Sequence, residues 1–258
     1  MSALKLALVQ AQLRWQDAPA NRRHLGHLMD RSPGADLYVL PETFTTGFLG
    51  DGEGPAEPFD GPTLAWMRSE ARARSAALVG SLALTDAEGL RRNRMVFVPP
   101  DGEPGWYDKR HLFSFGGEDQ RYAAGDDHTV IAWRGWRIDL QICYDLRFPV
   151  WCRNARDFDL QLFVANWPSP RVEAWRLLLQ ARALENQAFV VGVNCCGRLG
   201  NGNDYPGRSV AIDASGQRLL ELGPDEEVGE VTLDRQALLS LREKLPFLRD
   251  RDAFRLGR

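Results

Sequence analysis

At 258 residues, 44% of them apolar and 26% charged, the chain has the make-up of a soluble globular protein large enough to bury one well-developed core. A formal net charge of -3 leaves no basic footprint for nucleic acid, and no segment approaches the roughly 20 apolar residues of a membrane helix. The four cysteines, Cys143, Cys152, Cys195 and Cys196, form no C-x-x-C pair and suggest neither a disulfide framework nor a zinc site, so a reducing cytoplasm is the expected compartment.

The run 4–10 (LKLALVQ) is too short and too soon interrupted for a secretory signal and reads as a first strand. Asp17 is placed to cap a helix on which Leu25, Leu28 and Met29 form an apolar stripe. His24 and His27 lie three apart on that helix with no carboxylate–histidine cluster to join, and read as a solvated face. Residues 36–42 predict a short apolar strand; Pro41 cannot donate to a ladder, which puts Glu42 at the exit, where α/β architectures collect functional groups. Residues 61–74 predict a second helix with Leu64, Met67 and Ala71 on one face. Strands are expected at 77–84 and 93–98, with turns at 86–89 and 99–102. Lys109 follows in the aromatic-flanked stretch 106–113, ahead of a glycine-bearing loop at 114–120. Taken alone it reads as a surface lysine with its stem laid on apolar neighbours.

Residues 130–143 predict a hairpin turning at Arg134-Gly135. Its second arm alternates Ile138, Leu140 and Ile142 with Arg137, Asp139 and Gln141, the period-two signature of a strand with one buried face. It ends at Cys143, and the residues beyond read as the start of a helix. A nucleophile at such a turn is exposed, and a helix N-terminus favours the thiolate; a small buried apolar thiol fits the local sequence equally well. Residues 159–166 predict a strand with a polar exit, and 171–187 a helix with Trp175, Leu178, Leu179, Ala183 and Leu184 inward. A buried strand at 189–194 precedes Cys195 and Cys196, which are expected in the core or lining a pocket. A hairpin (209–222) and an edge strand (228–233) follow. The charged tail, 235–258, has too little apolar content to fold alone and is expected to dock on the body or on a partner subunit. The order of elements suggests two sheets covered by helices outside, a four-layer α-β-β-α sandwich forming one domain over 1–258.

Glu42, Lys109 and Cys143 carry a joint logic that none has alone. A carboxylate can deprotonate a thiol and later a water, a thiolate can hold an acyl group as a thioester, and an ammonium can stabilise the oxyanion beside the Tyr144 N–H. The segments LPE (40–42), YDKRHL (107–112), ICYDLRFP (142–149), ANW (165–167), ARALEN (181–186), YPGRS (205–209) and DASG (213–216) together resemble the nitrilase superfamily of carbon–nitrogen hydrolases, and within it the ω-amidase branch most. The resemblance runs over nearly the whole chain. It implies a Glu-Lys-Cys triad of Glu42, Lys109 and Cys143, and a second glutamate, matched by Glu118, that positions substrate and lysine. It also implies no metal or organic cofactor, a small-molecule amide substrate and a homodimer. A short dicarboxylic acid monoamide such as 2-oxoglutaramate or succinamate is the expected substrate. Its far carboxylate needs a partner, for which Arg147, Arg198, Arg208, Asn166 and Tyr205 are candidates, although Arg147 reads more readily as pinning its helix to Asp145 or a neighbouring acid. The same triad serves nitriles and N-carbamoyl compounds. A non-catalytic interaction module on this fold would be marked by loss of a triad residue, and none is lost.

Overall fold

The computed structural model describes residues 3–50 and 54–256. β1 (Ala3–Gln10) leads into α1 (Ala18–Met29), capped by Asp17, which accepts from the Ala20 N–H at 2.9 Å. β2 (Leu37–Val39), β3 (Glu57–Pro58), α2 (Pro62–Arg74), β4 (Ala77–Thr85), β5 (Arg91–Val98) and β6 (Gly105–Asp108) complete the first half. The second half supplies β7 (Val130–Trp133), β8 (Trp136–Ile142), a one-turn α3 (Pro149–Cys152), β9 (Leu160–Ala165), α4 (Val172–Asn186) and β10 (Phe189–Asn194). A small hairpin, β11 (Cys196–Arg198) and β12 (Asp204–Pro206), precedes β13 (Val210–Ile212) and β14 (Arg218–Glu221); β15 (Glu227–Asp234) and α5 (Arg235–Lys244) follow.

The strands make two large sheets, ordered β15-β1-β2-β4-β5-β6, with β3 beside β4, and β14-β13-β10-β9-β8-β7. Each has three parallel strands at its centre, β1-β2-β4 in one and β8-β9-β10 in the other, flanked by antiparallel neighbours. Alternation sorts their side chains. Leu4, Leu6, Leu8, Leu37, Val39, Met95 and Phe97 face Ile138, Leu140, Ile142 and Leu162 of the second sheet. Ala7, Val9, Tyr38, Leu78, Val96 and Val98 turn outward onto Leu25, Leu28 and Met29 of α1 and Leu64, Met67 and Ala71 of α2. Trp175, Leu179 and Ala183 of α4 cover the far side of the second sheet. The result is the four-layer α-β-β-α sandwich.

Two expectations about faces need correcting. Asp139 and Gln141, the polar members of the alternation in β8, are buried as deeply as their apolar neighbours. Their face lies under α3 and α4, where both glutamines converge on one Asp139 oxygen: Gln141 Nε2 donates to Asp139 Oδ2 at 2.8 Å, and Gln161 Nε2 to the same oxygen at 2.9 Å. On α4, Leu184 is exposed while Arg182 and Asn186 are buried. The true inward stripe is 175, 179, 182, 183 and 186, and Leu184 falls one step off it.

The tail lies on the body as α5, where Arg242 donates to the Phe158 carbonyl at 2.6 Å and the Gln187 carbonyl at 2.7 Å, and Arg235 to Asp159 at 2.8 Å. The last two residues of the tail fall outside the described residues.

Burial pushes the Asp139 carboxyl up from its ordinary 3.8 to about 6, against the two glutamine hydrogen bonds that favour the anion. A shift of that size corresponds to about 3 kcal/mol. Because the folded pKa lies above the unfolded one, this contribution is present below about pH 4 and is lost as pH rises through about 6. The melting temperature of Asp139→Asn should therefore gain on that of the native protein between pH 4 and pH 7. A parallel pH dependence of the two proteins in thermal melts would show that Asp139 does not titrate there.

Candidate active site

Glu42, Cys143 and Asn166 all stand just past the C-terminal ends of central parallel strands, β2, β8 and β9. Lys109 follows β6 and Glu118 sits in a 3₁₀ turn at Glu118–Gln120. The segment carrying Glu42 rests directly on β4. Leu40 N–H donates to Val79 O at 2.7 Å, Thr43 N–H to Ser81 Oγ at 2.8 Å and Phe44 N–H to Ser81 O at 3.1 Å. Gly80 permits this approach, since a Cβ there would meet Leu40 Cβ at 2.8 Å and Phe44 Cδ1 at 2.9 Å. Thr43 and Cys143 both have left-handed backbones, φ 39° and 45°, a conformation that costs about 1–3 kcal/mol and persists where the surrounding structure enforces it.

The three acid–base groups meet in a dry pocket wall. Lys109 Nζ donates to Glu42 Oε1 at 2.8 Å and to Glu118 Oε2 at 2.9 Å, with all three side chains essentially inaccessible to solvent. Asn93 Nδ2 donates to both carboxylates, at 2.9 Å to Glu42 and 3.0 Å to Glu118. The Asn166 N–H fixes the other Glu42 oxygen at 2.8 Å, and the Phe113 N–H fixes Glu118 Oε2 at 2.7 Å. Burial alone pulls the lysine toward deprotonation, but the charges of Glu118 and Glu42 outweigh it and hold its pKa well above the ordinary value. Burial likewise raises Glu118, against the attraction of Lys109. Cys143 is partly exposed and feels the Glu42 carboxylate; burial and the Glu42 charge push its thiol well above its usual pKa. The cysteine therefore rests as a thiol next to a base.

This replaces the helix-dipole argument for a thiolate. Cys143 opens a 3₁₀ turn (Cys143–Arg147), and α3 begins only at Pro149 and lasts four residues. Proline disfavours helical backbone in the residue before it, and Phe148 is accordingly extended at φ -110°, ψ 89°. What fixes the cysteine turn is Asp145. Its buried carboxylate accepts from the Ile142 N–H at 3.0 Å, Tyr107 OH at 2.8 Å and the His111 N–H at 2.9 Å. Tyr107 and His111 flank Lys109 in sequence, so one carboxylate ties the lysine segment to the cysteine turn. The expected Arg147–Asp145 pin is absent among the described contacts: Asp145 is engaged by these donors, and the Arg147 guanidinium lies 5.0 Å over the Trp167 ring.

Lys109, Cys143, Tyr144, Arg147, Asn166 and Tyr205 line a cavity of about 310 Å³. Phe48, Phe113, Trp167 and Arg171 also line it. The Asn166 amide is committed to Glu42 O (2.8 Å) and Thr43 Oγ1 (3.0 Å), and Tyr205 OH accepts from Asn201 at 2.9 Å. Arg198 and Arg208 do not reach the cavity. Arg198 is exposed beside Asp204, and Arg208 sits at a left-handed position (φ 60°) whose carbonyl accepts from Trp175. Cys195 and Cys196 are core residues rather than pocket lining, and Cys152 is buried beneath the Asp145 carbonyl, 3.1 Å away. Asn93, Asp145 and Arg171 are site residues that the sequence reading passed over. Among the described residues no three His, Cys, Asp or Glu side chains group as a metal site would require.

A two-sheet sandwich with a carboxylate, an ammonium and a thiol gathered at its strand exits has the build of a hydrolase that works through a cysteine. The family model for carbon–nitrogen hydrolases matches residues 5–243. The chain is 45% identical to the omega-amidase YafV of Yersinia enterocolitica, over 99% of this chain and 100% of that protein. It is 33% identical to the 2-oxoglutaramate amidase of Bacillus subtilis, over 84% of this chain and 85% of that one. Among solved structures, a carbon–nitrogen hydrolase superfamily protein from Xanthomonas campestris, with an arsenic adduct in its active site, superposes with a TM-score of 0.96 at 47% identity, all of each chain being covered. The chain belongs to the carbon–nitrogen hydrolase family. It is a hydrolase acting on amides.

Proposed function

We propose that the enzyme hydrolyses the terminal amide of short dicarboxylic acid monoamides, of the 2-oxoglutaramate or succinamate type, to diacid and ammonia through a Cys143 thioester. The observation that carries the chemistry is the Glu42–Lys109–Glu118 cluster against the Cys143 thiol. Glu42 takes the thiol proton as sulfur attacks the amide carbon, and Lys109 Nζ with the Tyr144 N–H holds the oxyanion. Glu42 returns the proton to the departing ammonia, then takes one from water for the second attack, which breaks the carbon–sulfur bond and restores the thiol. Glu118, fixed by Phe113 and Asn93, keeps the ammonium in place.

The substrate class rests on the names of the relatives and on the size of the cavity, whose roughly 310 Å³ lies at the small end for ligand sites. Ammonia release should favour succinamate over neutral butyramide by about ten-fold or more in kcat/KM, equivalent to roughly 1.4 kcal/mol. Equal rates would remove the ω-amide reading and leave the cysteine mechanism standing. Faster turnover of a nitrile than of any amide would assign the enzyme to nitriles instead.

A cytoplasmic homodimer completes the proposal. All four cysteines are free thiols, as a reducing compartment allows. Leu177 and Leu184 on α4 and Phe247 beyond α5 are 63%, 50% and 59% exposed. Apolar side chains left open on the outer helical layer and the tail call for a cover, and a second copy supplies one. Light scattering at micromolar concentration should give twice the 29.0 kDa chain mass, and a monomer there would refute the dimer.

A further inference from the structure

Lys109 is neutralised by Glu42 and outnumbered when Glu118 is added, so the inner end of the cavity holds two carboxylates against one ammonium. An anionic substrate entering there is repelled unless the mouth carries compensating charge. Two guanidinium groups line that mouth, Arg147 and Arg171. Each rests on an aromatic wall residue, Arg147 over Trp167 at 5.0 Å and Arg171 over Phe113 at 5.3 Å. Among the described residues neither forms an ion pair with an acid, whereas Arg94, Arg176 and Arg182 all do.

The two differ in setting. Arg147 is exposed, but Arg171 is half-buried. Its backbone is anchored by Trp167, whose indole Nε1–H donates to the Arg171 carbonyl at 2.7 Å. Phe113 under it also meets Tyr144 edge-on, with ring centroids 5.0 Å apart, and Tyr144 follows the cysteine directly. A guanidinium over an aromatic ring and paired with no acid can turn its N–H groups to a ligand, and a planar fork of that kind matches a carboxylate with two parallel hydrogen bonds. Leaving such a group half-desolvated without a counter-ion is costly unless a ligand brings one.

We infer that Arg171 is the specificity-determining residue of this enzyme, binding the far carboxylate of the substrate while its amide end lies at Cys143, with Arg147 adding charge at the rim. The inference rests on the ω-amide reading above. It explains how a site with excess buried negative charge admits an acid: Lys109 holds Glu42 and Glu118 at the inner end, and the substrate's one carboxylate is held by Arg171 away from them.

The test compares kcat/KM for succinamate and butyramide in the native enzyme, Arg171→Met and Arg171→Lys. Arg171→Met should lose at least about ten-fold on succinamate, mostly through KM, while butyramide changes by less than about three-fold; the loss of one charged hydrogen-bond partner is of that size. Arg171→Lys should recover part of the loss, because a point charge replaces the fork. Succinate should inhibit the native enzyme competitively and Arg171→Met much more weakly, a readout independent of turnover. A native preference for succinamate that survives in Arg171→Met, or an equal fall on both substrates, would overturn the Arg171 assignment alone. Native indifference to the carboxylate would instead overturn the substrate reading, and the assignment with it. Should Arg171→Met fail to fold, Arg171→Gln carries the same comparison.

Discussion

Cys143→Ala should reduce amide hydrolysis to background while the protein stays folded. The other three thiols cannot take over. Cys152, Cys195 and Cys196 are buried, and burial raises each of their pKa values. None lines the cavity, as Cys143 does beside Lys109. Stability should change little, because Cys143 is only partly buried and its loss opens the existing cavity rather than a new one in the core. The left-handed backbone at position 143 is enforced by Asp145, whose bonds to Ile142, Tyr107 and His111 do not involve the thiol. Mass spectrometry after iodoacetamide treatment at neutral pH should find one labelled thiol in the native protein and none in Cys143→Ala. Cys152→Ala, Cys195→Ala and Cys196→Ala should each retain substantial activity. A folded Cys143→Ala protein with ordinary turnover would end the thioester mechanism.

Lys109→Met should be the most damaging single change, since it removes two things at once. The oxyanion loses a donor, worth about 2.7–4 kcal/mol of barrier. Glu42 and Glu118 also lose the ammonium that lies between them, at 2.8 and 2.9 Å. Two buried carboxylates that share the Asn93 amide cannot both stay ionised without it, so one takes up a proton. If that one is Glu42 the base is lost, and kcat should fall by more than about 10³-fold. Breaking a buried ion pair from one side also costs stability, on the order of 3–5 kcal/mol, which urea unfolding can measure. Lys109→Arg should not rescue, because a planar fork does not fit where a compact ammonium meets two oxygens. Near-native kcat in Lys109→Met would show that the oxyanion is held elsewhere.

How much of this was legible beforehand depended on range. Most strands of both sheets follow from local apolar patterning, and the hairpin turn at Arg134-Gly135 from its glycine; β6 was not read as a strand, and the expected 36–42 strand ran three residues past β2. β3, β11 and β12 are two or three residues long, and only their partners define them. Glu42, Lys109 and Cys143 stood out because each follows a strand or loop run and lies inside a family-like segment. Asn93 opened an expected strand and looked like a boundary residue; its role exists only because Glu42 and Glu118, from distant parts of the chain, arrive on either side of it. Arg171 was taken for a helix start, and nothing local says that the cavity mouth lies beside it. Arg198 and Arg208 failed in the opposite way. Arg198 ends β11 with its side chain in solvent beside Asp204, and Arg208 follows β12 outside the cavity lining.

The pairing of β15 with β1 runs the full length of both strands, from Ala3 opposite Asp234 to Gln10 opposite Glu227. The first of the described strands is thus completed by the last. At the usual pace of synthesis, about 5–20 residues per second, β1 waits on the order of tens of seconds for its neighbour. During that interval Leu4, Leu6 and Leu8 belong to a sheet with an open edge, the kind of surface that invites pairing with another chain. Closing it joins sequence-distant ends in one step, which makes folding of the sandwich slow relative to a helical protein of this size. A nascent chain of this enzyme therefore presents an open sheet edge until β15 has emerged, whatever the stability of the finished molecule.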